Sequence, residues 1–136
     1  MSAVRNAFTK LVLVSLIAAA PLSGQALNDL LTRAERTEFR ETSSYDEVME
    51  LSERLADLSP DMHLTSFGYT NEGRSLPLLV IGAPDASAEA VLATGKTRVY
   101  VQGNIHAGEV CGKEALLILL RRFATGDYPT WTDELI

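Results

Sequence analysis

The sequence predicts an α/β fold, on three observations. Residues 45–58 carry apolar side chains at helical spacing; residues 62–69 and 76–82 read as short strands around a glycine turn; residues 97–124 run strand, loop, apolar helix. The chain has 136 residues, 46% hydrophobic and 22% charged, the makeup of one globular domain rather than a disordered segment. Its formal charge of −6 and scattered Lys and Arg, with Arg121 and Arg122 the one adjacent basic pair, argue against a nucleic-acid surface.

The first 26 residues stand apart from the fold. Arg5 and Lys10 precede an apolar run over residues 11–20, too short to span a bilayer, and Pro21, Ser23, Gly24 and Ala26 follow it. This is the pattern of a secretory signal peptide over residues 1–26, cut after Ala26, and it implies a secreted or periplasmic protein with no stable membrane span after cleavage. No cysteine closely follows the run, which argues against a lipid anchor. Loss of Arg5 and Lys10 makes the mature chain two units more negative than −6. Export would place Cys111, the one cysteine, in an oxidising compartment, where it is expected to be buried or to have its partner outside this sequence.

In chain order, residues 27–40 fit a short surface helix. Ser44-Tyr45-Asp46-Glu47 has the form of a capping box, in which serine hydroxyl and glutamate carboxylate each accept from a free backbone N–H. Behind it Tyr45, Val48, Leu51, Leu55 and Leu58 make one apolar face, and Ser59-Pro60-Asp61 ends the helix. The two strands are expected to pair as an antiparallel hairpin through the turn at residues 70–74. Pro77 lacks a ladder donor and belongs at a strand start or on a free edge. Residues 83–96 read as an exposed connection with one short helix begun by Ser87. Residues 97–103 are expected to be a third strand, and residues 112–124 a buried helix, apolar nearly all round, with Arg121 and Arg122 favouring the dipole of its last turn. Residues 127–136 read as loop.

The chemistry concentrates at residues 99–114. His106 and Glu109 lie three residues apart past the end of the third strand, where open α/β sheets place ligands in a crevice. Imidazole nitrogen and carboxylate oxygen are good zinc donors, so the pair is a candidate metal site. A polar loop at a helix start is the other reading, since a first-turn carboxylate is stabilised by the helix dipole without any metal. Catalytic zinc takes three protein ligands and a water, and the sequence offers no convincing third donor. His63 reads as an ordinary surface histidine, Cys111 as a small packed residue, Glu72 and Arg74 as the finish of the hairpin turn, and Lys113 and Glu114 as a solvated helix start.

Taken together, Gly103-Asn104-Ile105-His106-Ala107-Gly108-Glu109, the upstream Asn71-Glu72-Gly73-Arg74-Ser75-Leu76-Pro77-Leu78 turn and the helix at Tyr45 resemble the N-terminal part of the zinc carboxypeptidase family, the carboxypeptidase A-like metallopeptidases. The resemblance covers nearly all of residues 40–136. It implies a mixed β-sheet flanked by helices, incomplete at the C-terminus, with residues 27–136 as the N-terminal part of the catalytic domain. It also implies one Zn2+ ion with His106 and Glu109 as its first two ligands, a peptide or protein substrate, and release of a C-terminal amino acid. The third ligand and the general base are expected beyond Ile136, so the 136-residue chain alone is expected to be inactive. Many members carry arginine directly before the glutamate ligand, where this chain has Gly108. The alternatives are an amidohydrolase of the aspartoacylase or succinylglutamate desuccinylase type, which resembles the same His-x-x-Glu arrangement, and a catalytically inactive fragment.

Overall fold

A computed structural model describes residues 30–136. The signal-peptide expectation over residues 1–26 lies outside the described residues. In chain order the elements are α1 (Arg33–Arg36), α2 (Tyr45–Leu58), β1 (Met62–Tyr69), β2 (Ser75–Ile81), α3 (Ala88–Ala93), α4 (Val110–Ala124) and α5 (Pro129–Glu134). Helices around a two-stranded antiparallel sheet agree with the expected α/β class.

Helix α2 begins where the capping box places it. The Ser44 hydroxyl accepts from the Glu47 N–H, and the Glu47 carboxylate accepts from the Ser44 N–H at 2.9 Å. Its apolar face buries Leu51 and Leu55. These join Leu30, Met62 and Leu117 in the core, with Val48, Leu79, Ile81, Leu120 and Phe123 packed around them. The core therefore lies between α2, the hairpin and α4. Helix α1 is only four residues long, shorter than the expected helix over 27–40, but its Thr32 and Glu35 form a second capping box. Glu35 also makes a two-pronged pair with Arg121, both contacts 2.6 Å, which ties α1 to the far end of α4.

The hairpin forms antiparallel as expected, with Met62 opposite Ile81 and Tyr69 opposite Ser75. Pro77 lies opposite Ser66, beside an irregularity between Ser66 and Gly68, rather than at the strand start. A bulge is one of the few sheet positions that tolerates a residue without an N–H. The short helix after Ser87 is present, with the Ser87 hydroxyl accepting from the Ala90 N–H at 3.1 Å.

Four expectations are corrected. Residues 97–103 do not join the sheet: apart from a parallel bridge between Thr97 and Leu135, the segment is unpaired, and Val99, Tyr100 and Val101 are exposed. Period-two alternation specifies an extended chain but not a partner, and an apolar cleft of about 540 Å³ separates this segment from β2. Residues 127–136 are not all loop. Pro129 starts α5, a first-turn position where its missing N–H costs nothing, and Tyr128 and Trp131 stack at 4.9 Å beside Phe123. Helix α4 starts two residues earlier than expected and is only half-buried, with Glu114 and Leu117 its buried residues. Cys111 is exposed rather than packed.

Candidate metal centre

The chain reaches the site along residues 98–103 and turns at Asn104, whose φ of 59° is left-handed. Asparagine is among the few residues other than glycine that enter this region readily. Gly103 lies against the first turn of α4. A Cβ there would meet Leu116 Cδ1 at 2.8 Å and the Gly112 backbone at 3.0 Å, so only glycine lets the end of this segment and the helix start come this close. The loop that leaves Gly103 and returns at Gly112 is thus closed at its base. His106 and Glu109 sit at its tip.

Within that loop Glu109 turns back on His106. Its Oε1 lies 2.9 Å from His106 Nδ1, its Oε2 accepts from the His106 N–H at 3.2 Å, and the Glu109 N–H donates to the His106 carbonyl at 3.0 Å. Glu109 is the N-cap residue of α4, yet its side chain caps nothing in the helix. Hydrogen bonds from the His106 ring and backbone hold the Glu109 carboxyl below its usual value. Both side chains are open to solvent, 81% exposed for His106 and 53% for Glu109.

Nitrogen and oxygen donors this close suit one first-row ion. Two donors each about 2.0–2.2 Å from a tetrahedral zinc stand about 3.3 Å apart, so the pair needs to open by only a few tenths of an ångström. The two residues fit zinc as a partial ligand set. No group of three or more His, Cys, Asp or Glu side chains able to hold a metal occurs among the described residues.

The other residues singled out in the sequence lie apart from this pair or behave differently. His63 is not a free surface histidine: its Nε2 lies 2.8 Å from the Ala83 carbonyl beside the hairpin. Glu72 and Arg74 close the hairpin turn as expected, as an exposed ion pair at 3.4 Å. Lys113 and Glu114 correct the expectation of a solvated helix start. Glu114 is 6% exposed, and its carboxylate accepts from Thr42 Oγ1 at 2.7 Å, Ser43 N–H at 2.6 Å and Ser43 Oγ at 3.1 Å. Lys113 Nζ donates to the Ser43 carbonyl. Burial raises the Glu114 carboxyl, but the hydrogen bonds from Ser43 and Thr42 outweigh it and hold the group below its usual value. A charged residue inside an apolar helix, Glu114 before Ala115-Leu116-Leu117, was the available signal for this contact.

The family model for zinc carboxypeptidase matches residues 48–133. Carboxypeptidase 2 of Trichophyton rubrum is 32% identical over 93 residues, which is 67% of this chain and 17% of that protein. The chain thus spans about a sixth of the length of the curated relative it matches. No solved structure matches it. The family match covers α2 from Val48 onward, the hairpin and the whole His106–Glu109 loop, and the chain belongs to the zinc carboxypeptidase family.

Proposed function

We propose that residues 27–136 are the N-terminal part of the catalytic domain of an exported zinc metallocarboxypeptidase, in which His106 and Glu109 are two ligands of a single Zn2+. The observation that carries this reading is the pair itself: two zinc donors 2.9 Å apart, on a loop inside the region that matches the family. When bound, zinc supplies a Lewis acid that polarises the scissile carbonyl and makes water available as hydroxide near neutral pH.

The chain's own residues do the positioning. His106 offers a ring nitrogen, and Glu109 offers a carboxylate whose negative charge offsets part of the ion's. The Gly103–Gly112 approach holds the loop that presents them. The exposure of both side chains leaves their outer side open to the remaining ligand and to a peptide's C-terminal end. The rest of the mixed sheet, the third ligand and the general base lie in sequence after Ile136 on this reading. The open cleft beside β2 and the short span relative to the fungal carboxypeptidase both support it.

Assay of the full-length protein against peptides and against N-acyl amino acids tests the class. The expected result is release of C-terminal amino acids from peptides, lost by at least 100-fold in His106→Ala or Glu109→Ala, since the metal itself is lost. Turnover of N-acyl amino acids alone would contradict it and favour the amidohydrolase alternative. Residues 27–136 alone are expected to show no turnover, and robust activity from them would refute the partial-site reading.

A further inference from the structure

Glu114 is a buried carboxylate for which the proposed chemistry has no use. It lies on α4 five residues past Glu109, and the groups that donate hydrogen bonds to it sit on the connection from α1 to α2. Thr42 Oγ1, Ser43 N–H and Ser43 Oγ all donate to it, and Lys113 Nζ stands 3.6 Å from its Oε1 while donating to the Ser43 carbonyl. Ser43 is itself fixed, because its Oγ also accepts from the Arg33 N–H at 3.3 Å. The next residue, Ser44, caps α2.

The first turn of α4 needs such a fixture. Its N-cap residue, Glu109, makes no capping hydrogen bond, because that carboxylate is turned back to His106. Free N–H groups at a helix start leave the first turn prone to fraying unless other contacts hold it. Two sets of contacts do: Gly112 against the Gly103 backbone, and Glu114 together with Lys113 against residues 42 and 43. The first fixes the base of the metal loop, and the second fixes the helix to which that loop is attached.

We propose that Glu114 is a positioning residue for the His106–Glu109 pair, setting the place of the first turn of α4, and so of the Glu109 carboxylate, by anchoring it to Thr42 and Ser43. The proposal rests on the zinc reading above. A charged acceptor with three donors is the strong form of such an anchor, and an amide in its place keeps the volume but loses the charge-assisted bonds.

The test uses the full-length protein, with zinc affinity measured by chelator competition and the site reported by the visible absorption of bound Co2+. Glu114→Gln is expected to weaken zinc about tenfold, the lower end of what loss of a supporting contact costs a metal site, and to alter the Co2+ spectrum. Thr42→Val removes one exposed-side hydrogen bond and serves if Glu114→Gln fails to fold; it is expected to weaken zinc about threefold, a fraction of the same effect. Leu51→Ala, in the core of α2, lowers Tm and is expected to leave both readouts unchanged, which separates positioning from general loss of stability. Zinc affinity and Co2+ spectrum unchanged in Glu114→Gln, or in Thr42→Val where that variant carries the test, while His106→Ala abolishes binding, would overturn the positioning role alone. Zinc binding unaffected by His106→Ala would overturn the metal reading, and the role of Glu114 with it.

Discussion

At the scale of single residues, the site depends on atoms that are missing as much as on those present. Gly103 has no Cβ where one would collide with backbone as well as with Leu116. Gly103→Ala is expected to cost about 1–3 kcal/mol of stability, as overpacking does, because the Gly112 backbone has no rotamer to move into. Gly108→Ala, with nothing within 4 Å of the added methyl, is expected to stay within about 0.5 kcal/mol of the parent. Urea unfolding of the two variants checks the contrast, and equal losses would contradict it. Ser52 is the opposite case. Its hydroxyl is buried in the core face of α2 without a hydrogen-bond partner, so Ser52→Ala is expected to raise stability by up to about 1 kcal/mol, read as a higher Tm.

At the scale of elements, two carboxylates, one buried and one half-buried, hold helices together. Glu114 joins α4 to the start of α2, and Glu35 joins α1 to the end of α4 through Arg121. Burial raises the Glu35 carboxyl, but hydrogen bonds from Arg121 and Thr32 overcome it, so that Glu35, like Glu114, titrates below the ordinary value of 4.5 in the folded chain. A carboxyl with a depressed folded pKa contributes stability that is complete above its unfolded pKa and lost as pH falls through its folded one. Tm is therefore expected to hold near neutral pH and to fall steeply below pH about 4.5, with a shallower fall in Glu35→Gln. An equally steep fall in that variant would show that Glu35 is not one of the groups responsible.

Elements also show which parts of the fold could be read in the sequence. Helix α2 could, because Ser44, Glu47 and the spacing of Val48, Leu51 and Leu55 are all local signals for one structure. The hairpin and the Ser87 helix could for the same reason. Residues 97–103 could not, because their alternation describes an extended chain while pairing depends on a neighbour, and here that is only a short bridge of Thr97 and Val99 to Leu135 and Ile136. Helix α5 was hidden in a segment whose order comes from aromatic stacking around Phe123, a contact between residues that local periodicity does not register. At the site, His106 and Glu109 were legible from residue type and position, and their contact at 2.9 Å follows from the tight turn between them. Glu114 was not. Whether a helix face meets water or another segment depends on what lies over it, and here that is a connection 71 and 72 residues earlier in the chain.

At the scale of the whole molecule, the described residues form a packed core, the exposed His106–Glu109 pair, and an apolar cleft along the free side of β2. On the proposed reading the cleft and the ligand set are completed together by later sequence. Export is a separate claim at this scale: N-terminal sequencing of the mature protein is expected to start at Leu27, and retention of Arg5 and Lys10 in it would contradict the signal-peptide reading.

The central claim is that His106 and Glu109 hold zinc. Metal analysis of the full-length protein tests it most directly. The account predicts one zinc per chain in the parent and less than about a tenth of that in the His106→Ala, Glu109→Ala double variant under the same dialysis, both proteins being folded by circular dichroism. Undiminished zinc in the double variant would contradict it.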